Sequence, residues 1–203
     1  MKNALFCGFF LFLAAFTFPR QVLAQVKQSN LTKPQISRGI DQGNGLLIRK
    51  HLEKLGYKQG RTLSSSKYTG RDQTGDFEVV LIAVEYTGAK KKPVEQSHIE
   101  LIRGTKKDVH DFADDGIQSF TVNGAQVQQK SAGCDPVAVA RAIINTKSSC
   151  TTCVNQVTAC INNSKKPGRA WKIVACLLKN AVVPCAGCVV NFVQLINAIV
   201  ACV

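Results

Sequence analysis

The chain has 203 residues, 45% of them hydrophobic and 19% charged, with a formal net charge of +13. That length allows one domain or two small ones. The charge suits anionic lipid, cell-wall polymer or nucleic acid, but the aromatics do not interleave with the basic residues and no zinc-finger or RNA-binding pattern occurs, so no nucleic-acid partner is expected.

Lys2 precedes an apolar run over residues 4–18, followed by Pro19, Arg20 and the small-residue tripeptide at 22–24. This order predicts a secretory signal peptide over residues 1–24, cut between Ala24 and Gln25. The run is shorter than the roughly 20 residues of a membrane span. Cys7 leaves with it, and eight cysteines remain, all at or after Cys134. An even number in an exported chain points to disulfides.

The acidic residues divide at the same place. After Cys134 only Asp135 carries a carboxylate, and no histidine follows it. Two modules are therefore expected, residues 25–130 and 131–203, joined by the polar stretch VQQKSAG, with Lys130 as the processing residue.

In the first module, residues 25–45 are polar and read as a flexible leader. Asn44 suits the N-cap of one helix over residues 45–55, with Ile48, Leu52 and Leu55 on one face. FEVVLIAVEY (residues 77–86) is apolar on both faces and suits a central strand. SHIELIRG (97–104) alternates more loosely, and Asn123-Gly124 between IQSFTV and AQVQQ marks a hairpin. The expectation is an α+β module, one helix on a small antiparallel sheet. Ser64–Ser66 reads as linker, residues 90–92 as a hairpin tip. Asp108, Asp111, Asp114 and Asp115 around His110 read as a solvated acidic loop. None of these forms a catalytic motif.

The second module reads as all helix. Asp135-Pro136 is an N-cap followed by a first-turn proline. Cys150, Cys153, Val157 and Cys160 fall on one stripe of a second helix over residues 151–162. NNSKKPG is a loop. A third helix, residues 169–183, carries Trp171, Val174 and Leu178 on one stripe and Arg169, Lys172, Cys176 and Lys179 on another. In the last helix Cys185, Cys188, Phe192, Leu195, Ile199 and Cys202 recur at 3, 4, 3, 4, 3, a seam that packs on the second helix with cysteines cross-linking the pair. Two CxxC pairs are also compatible with zinc, but export, four further cysteines and the lack of a nearby histidine favour disulfides. The module is expected to be a disulfide-stapled helical bundle using Cys134, Cys150, Cys153, Cys160, Cys176, Cys185, Cys188 and Cys202. No metal, cofactor or catalytic residue is expected: one carboxylate and no histidine leave no ordinary acid–base pair.

Five basic residues, Lys165, Lys166, Arg169, Lys172 and Lys179, crowd beside Trp171 and a very apolar terminal helix. Cations gather at anionic headgroups and tryptophan suits the interface, so these six residues are the candidate membrane contacts, and anionic membrane or lipid the candidate partner.

The cysteine-free first module, followed by a short apolar module carrying Cys150-Thr-Thr-Cys153, Cys160, Cys176, Cys185-Ala-Gly-Cys188 and Cys202, resembles the precursors of the halocin bacteriocins of the C-eight type. The resemblance covers mainly the last seventy or so residues and the order of parts. It implies a secreted precursor whose C-terminal piece is cut free as an antimicrobial peptide. It also implies that the N-terminal piece contacts that peptide, shielding it or conferring immunity. The alternative is a saposin-like secreted lipid-binding protein, which shares helices and disulfide stapling but differs in cysteine number and spacing.

Overall fold

The computed structural model describes residues 25–115, 119–123, 126–129 and 133–203. Ala24, the cleavage-site partner of Gln25, lies outside the described residues, as do Gly124 of the hairpin turn and Lys130.

Residues 27–129 form a seven-stranded antiparallel sheet in which every strand pairs with its sequence neighbour. The strands are β1 (Lys27–Asn30), β2 (Lys58–Asp72), β3 (Gly75–Thr87), β4 (Val94–Arg103), β5 (Lys106–Asp114), β6 (Ser119–Asn123) and β7 (Gln126–Gln129). Helices α1 (Lys33–Asp41) and α2 (Gly43–Lys54) follow β1. The expectation of one helix on a small sheet is thus overturned: the sheet is large and carries two helices.

The stretches misread are polar ones. The expected leader contains β1 and α1. β1 is the edge strand and exposed at all four positions, so it lacks apolar alternation. α1 starts at a capping arrangement in which the Thr32 N–H donates to Gln35 Oε1 at 2.8 Å, with Pro34 in the first turn. Ser64–Ser66 is not linker but the middle of β2, whose period is broken by register shifts around Thr62. The expected acidic loop is β5, with Asp111 and Asp114 buried. The cap expected from Asn44 is absent: α2 starts two residues earlier, after Gln42.

β3 and β4 bury side chains on both faces. Ile82, Val84, Tyr86 and Val94 pack with Ile40, Ile48 and Leu52 of α1 and α2. Val79, Leu81, Ile99 and Leu101 face the opposite way and join a core built by the C-terminal helices. The result is three layers, with the sheet in the middle.

That third layer holds α3 (Pro136–Ile143), a 3-10 turn (Ser148–Cys150), α4 (Thr151–Asn163), α5 (Arg169–Asn180), the short α6 (Val182–Cys185) and α7 (Phe192–Cys202). Asp135 caps α3 by accepting the Val137 N–H at 2.9 Å. Four disulfides tie the layer together: Cys134–Cys202, Cys150–Cys188, Cys153–Cys185 and Cys160–Cys176. The cysteine seam is not one helix. Cys185 ends α6 and Cys188 lies in the following turn, both bonded to the start of α4. A new helix begins where Asn191 accepts the Gln194 N–H. The third helix likewise stops at Asn180, and Pro184 falls inside α6 rather than ending α5.

Gly45 is where α1 and α2 meet most tightly. A Cβ there would lie 2.1 Å from the Gly39 carbonyl oxygen, which is backbone and cannot swing aside. In an open helix Gly→Ala gains about 1 kcal/mol. Here overpacking, typically about 1–3 kcal/mol, reverses the sign. Gly45→Ala is expected to lower the urea midpoint of the oxidised chain without changing its disulfides.

Candidate functional site

The cationic helix α5 and the terminal helix α7 carry the candidate contacts, so their seats on the sheet define the site. α5 buries Ala170, Ile173, Val174, Leu177 and Leu178. It starts after Gly168, whose φ of 70° favours glycine. A Cβ at Gly168 would also strike Glu95 and Trp171. This close approach lets Glu95 of β4 take both neighbours: Trp171 Nε1–H donates to Glu95 Oε2 at 2.8 Å, and Lys172 Nζ to Oε1 at 3.2 Å.

The six candidate membrane contacts therefore separate. Lys165, Lys166 and Lys179 are exposed, while Arg169, Trp171 and Lys172 are half-buried. Arg169 donates to the Ile161 carbonyl at 3.5 Å. Trp171 and Lys172 are held by the sheet. The eight cysteines are paired as described, and Gln25 is exposed at the start of the described chain. Among the described residues no group of His, Cys, Asp and Glu is arranged to hold a metal ion, and no helix is long and apolar enough to cross a membrane.

The second seat is under α7, which is apolar nearly all round. It buries Phe192, Val193, Leu195, Ile196, Ile199, Val200 and Cys202. Phe192 stacks on Phe77 of β3, with ring centroids 6.2 Å apart. The Phe192 N–H donates to Asp72 Oδ2 at 2.8 Å, so a sheet carboxylate closes the helix N-terminus. Asp72 also takes both terminal nitrogens of Arg103 and the Thr74 N–H and hydroxyl. Burial works against ionising Asp72, but the bonds from Arg103, Thr74 and Phe192 outweigh it and hold the carboxyl below its ordinary range. Nearby, Gln73 Nε2 donates to the Ala186 carbonyl at 3.1 Å, and His110 Nε2 lies 2.6 Å from Asn197 Oδ1.

Asp72, Glu95 and Phe77 are not recognisable from the sequence as partners of the helices. A carboxylate at a strand end carries no motif, and its helix partner lies 120 residues on for Asp72 and 76 for Glu95.

On the sheet's other face, His98 lies 2.8 Å from Asp111 and 3.1 Å from Glu100. A histidine between two carboxylates is a possible general base, but both ring nitrogens are engaged and Gly39 of α1 covers the ring. Burial opposes charging His98, yet the bonds to Asp111 and Glu100 prevail and raise it to about 9. The His98 bond is the main cause holding Glu100 down, to about 2. This is a charged brace between strands and α1, with no open side for substrate.

Comparison of the chain with protein-family models, curated proteins and solved structures finds no match.

Removing the Asp72 charge leaves the largely buried Arg103 unpaired. Asp72→Asn is expected to destabilise the oxidised chain by about 3 kcal/mol. Because the folded carboxyl sits below its ordinary 3.8, its contribution is full above that pH and is lost as pH falls below it. Urea unfolding at pH 6 and pH 3 should show the wild type losing more stability on acidification than the variant does.

Proposed function

We propose that the chain is a secreted precursor of a cationic, disulfide-stabilised, membrane-active antimicrobial peptide. Residues 134–203 are the active part, and residues 25–129 cover its apolar face until the join around Lys130 is cut. The observation that carries this reading is the shared core. Val79, Leu81, Ile99 and Leu101 of the sheet pack in one cluster with Ile173, Leu177, Phe192 and Ile196 of the helices.

The disulfides make such a release chemically simple. All four join cysteines within residues 134–203, so one cut in the join leaves no covalent tie to the sheet. They also supply cross-links of about 2–4 kcal/mol each, which a bundle of this size needs once its sheet is gone. Separation would expose the sheet-facing surface of α5 and α7 and free Trp171 and Lys172 from Glu95. They would join Lys165, Lys166, Arg169 and Lys179 in a basic, tryptophan-bearing face suited to anionic headgroups. The resemblance to C-eight type halocin precursors implies the same order of parts and extends to immunity by residues 25–129. Paired cysteines suit an exported protein, and the reading assigns no catalytic step to the chain.

A specific protease site placed at residues 130–132 provides the test. Intact oxidised chain is expected to leave dye trapped in phosphatidylglycerol vesicles. Separated residues 134–203 should release it at micromolar concentration, and adding back residues 25–129 should suppress release. Absence of leakage from the separated piece would overturn the membrane-active reading. Extraction of lipid without leakage would favour the saposin-like alternative.

A further inference from the structure

A groove of about 560 Å³ runs between the β1–β2 edge of the sheet and α5. β2 pairs with β1 so that Gln28 lies opposite Tyr68 and Asn30 opposite Ser66. This is the face covered by the C-terminal helices, since Tyr68 belongs to the same core as Val79 and Leu81. Towards the edge that face changes character: Gln28, Ser64 and Ser66 line one wall of the groove, and Trp171 and Lys179 the other. Gln28 Nε2 donates to Ser66 Oγ at 2.9 Å, which fixes the amide's orientation. The register shifts around Thr62 fall at the same place, where bulges re-aim side chains.

We infer that this groove binds an acidic oligosaccharide. Hydroxyl and amide side chains pair with sugar hydroxyls, and an indole offers an apolar face to the C–H side of a pyranose ring while keeping its N–H bonded elsewhere. Here that N–H is held by Glu95. Lys179 is exposed and supplies a cation for a carboxylate on the sugar. No carboxylate lines the groove among the described residues, so an acidic ligand meets no like charge. A lone lysine and a hydroxyl-rich wall fit a saccharide, whose carboxylates are spaced no closer than one to a ring among hydroxyls, better than a polyphosphate, which calls for several cations, or an acyl chain, which calls for apolar walls. Both walls are needed, and one belongs to the sheet and the other to the helical layer. By linkage, a bound saccharide opposes their separation. The inference requires only the intact chain, so it does not depend on membrane activity.

Trp171 is the only tryptophan, so its emission reports on the groove directly. Trigalacturonic acid titrated into the intact oxidised chain is expected to give a saturable emission change. Lys179→Glu should weaken that binding roughly tenfold or more, by loss of a charged hydrogen bond, and Ser64→Leu should weaken it too. Unfolding midpoints would verify that both variants fold. Maltotriose, neutral and of the same length, and inorganic phosphate alone should bind more weakly. The inference is overturned if trigalacturonic acid gives no saturable change. It is also overturned if maltotriose or phosphate binds as tightly, or if Lys179→Glu leaves the affinity unchanged.

Discussion

The structure rests on a sheet whose strand β3 is apolar on both faces. β3 cannot leave either face in water, because it buries Val79 and Leu81 on one side and Ile82 and Val84 on the other, while β4 adds Ile99 and Leu101 to the first side and Val94 to the second, and transferring apolar area out of water is the main favourable contribution to folding. α1 and α2 cover one face. The other is covered by helices that belong to a different part of the chain by composition. Everything else about the arrangement follows from that second covering: the disulfide-bonded layer and the sheet complete each other's core.

Polar contacts at the rim set how the layers meet. Asp72 closes the start of α7, and Glu95 takes Trp171 and Lys172 of α5. Each uses a carboxylate from the acid-rich part of the chain against N–H and cationic groups from the acid-poor part. The charge asymmetry visible in the sequence thus becomes complementarity at the interface. When such pairs are partly buried, the cost of desolvating both groups offsets much of their attraction. On the far face, the brace of His98, Asp111 and Glu100 orders strands and α1 without touching the helical layer.

Signals that depend on local pattern were legible in the sequence, and those that depend on distant partners were not. FEVVLIAVEY stands as β3 because a doubly apolar run has few alternatives. The second helix stands almost residue for residue because its cysteine stripe and the NNSKKPG loop bound it. β1 and β2 were missed because an edge strand, and a serine-rich strand with irregular register, need not show alternating apolar residues. β5 was mistaken for a loop because its buried aspartates look solvated until His98 is placed beside Asp111. The cysteine seam had the right spacing for one helix, but Cys185 and Cys188 follow the start of α4 through their disulfides, and Asn191 starts the helix anew. Of the candidate contacts, the basic cluster was legible as chemistry. That Trp171 and Lys172 are held by a sheet carboxylate was not.

The functional reading and the saccharide groove both depend on one physical claim: the helices and the sheet share a single core rather than touching incidentally. Phe77 and Phe192, one from each side, test that claim. A double-mutant cycle with Phe77→Leu and Phe192→Leu, followed by urea unfolding of the oxidised chain, reads their coupling without cutting the join. Direct aromatic contact across a common core predicts a coupling of about 0.5–1.5 kcal/mol. Strictly additive losses, with no coupling, would contradict it.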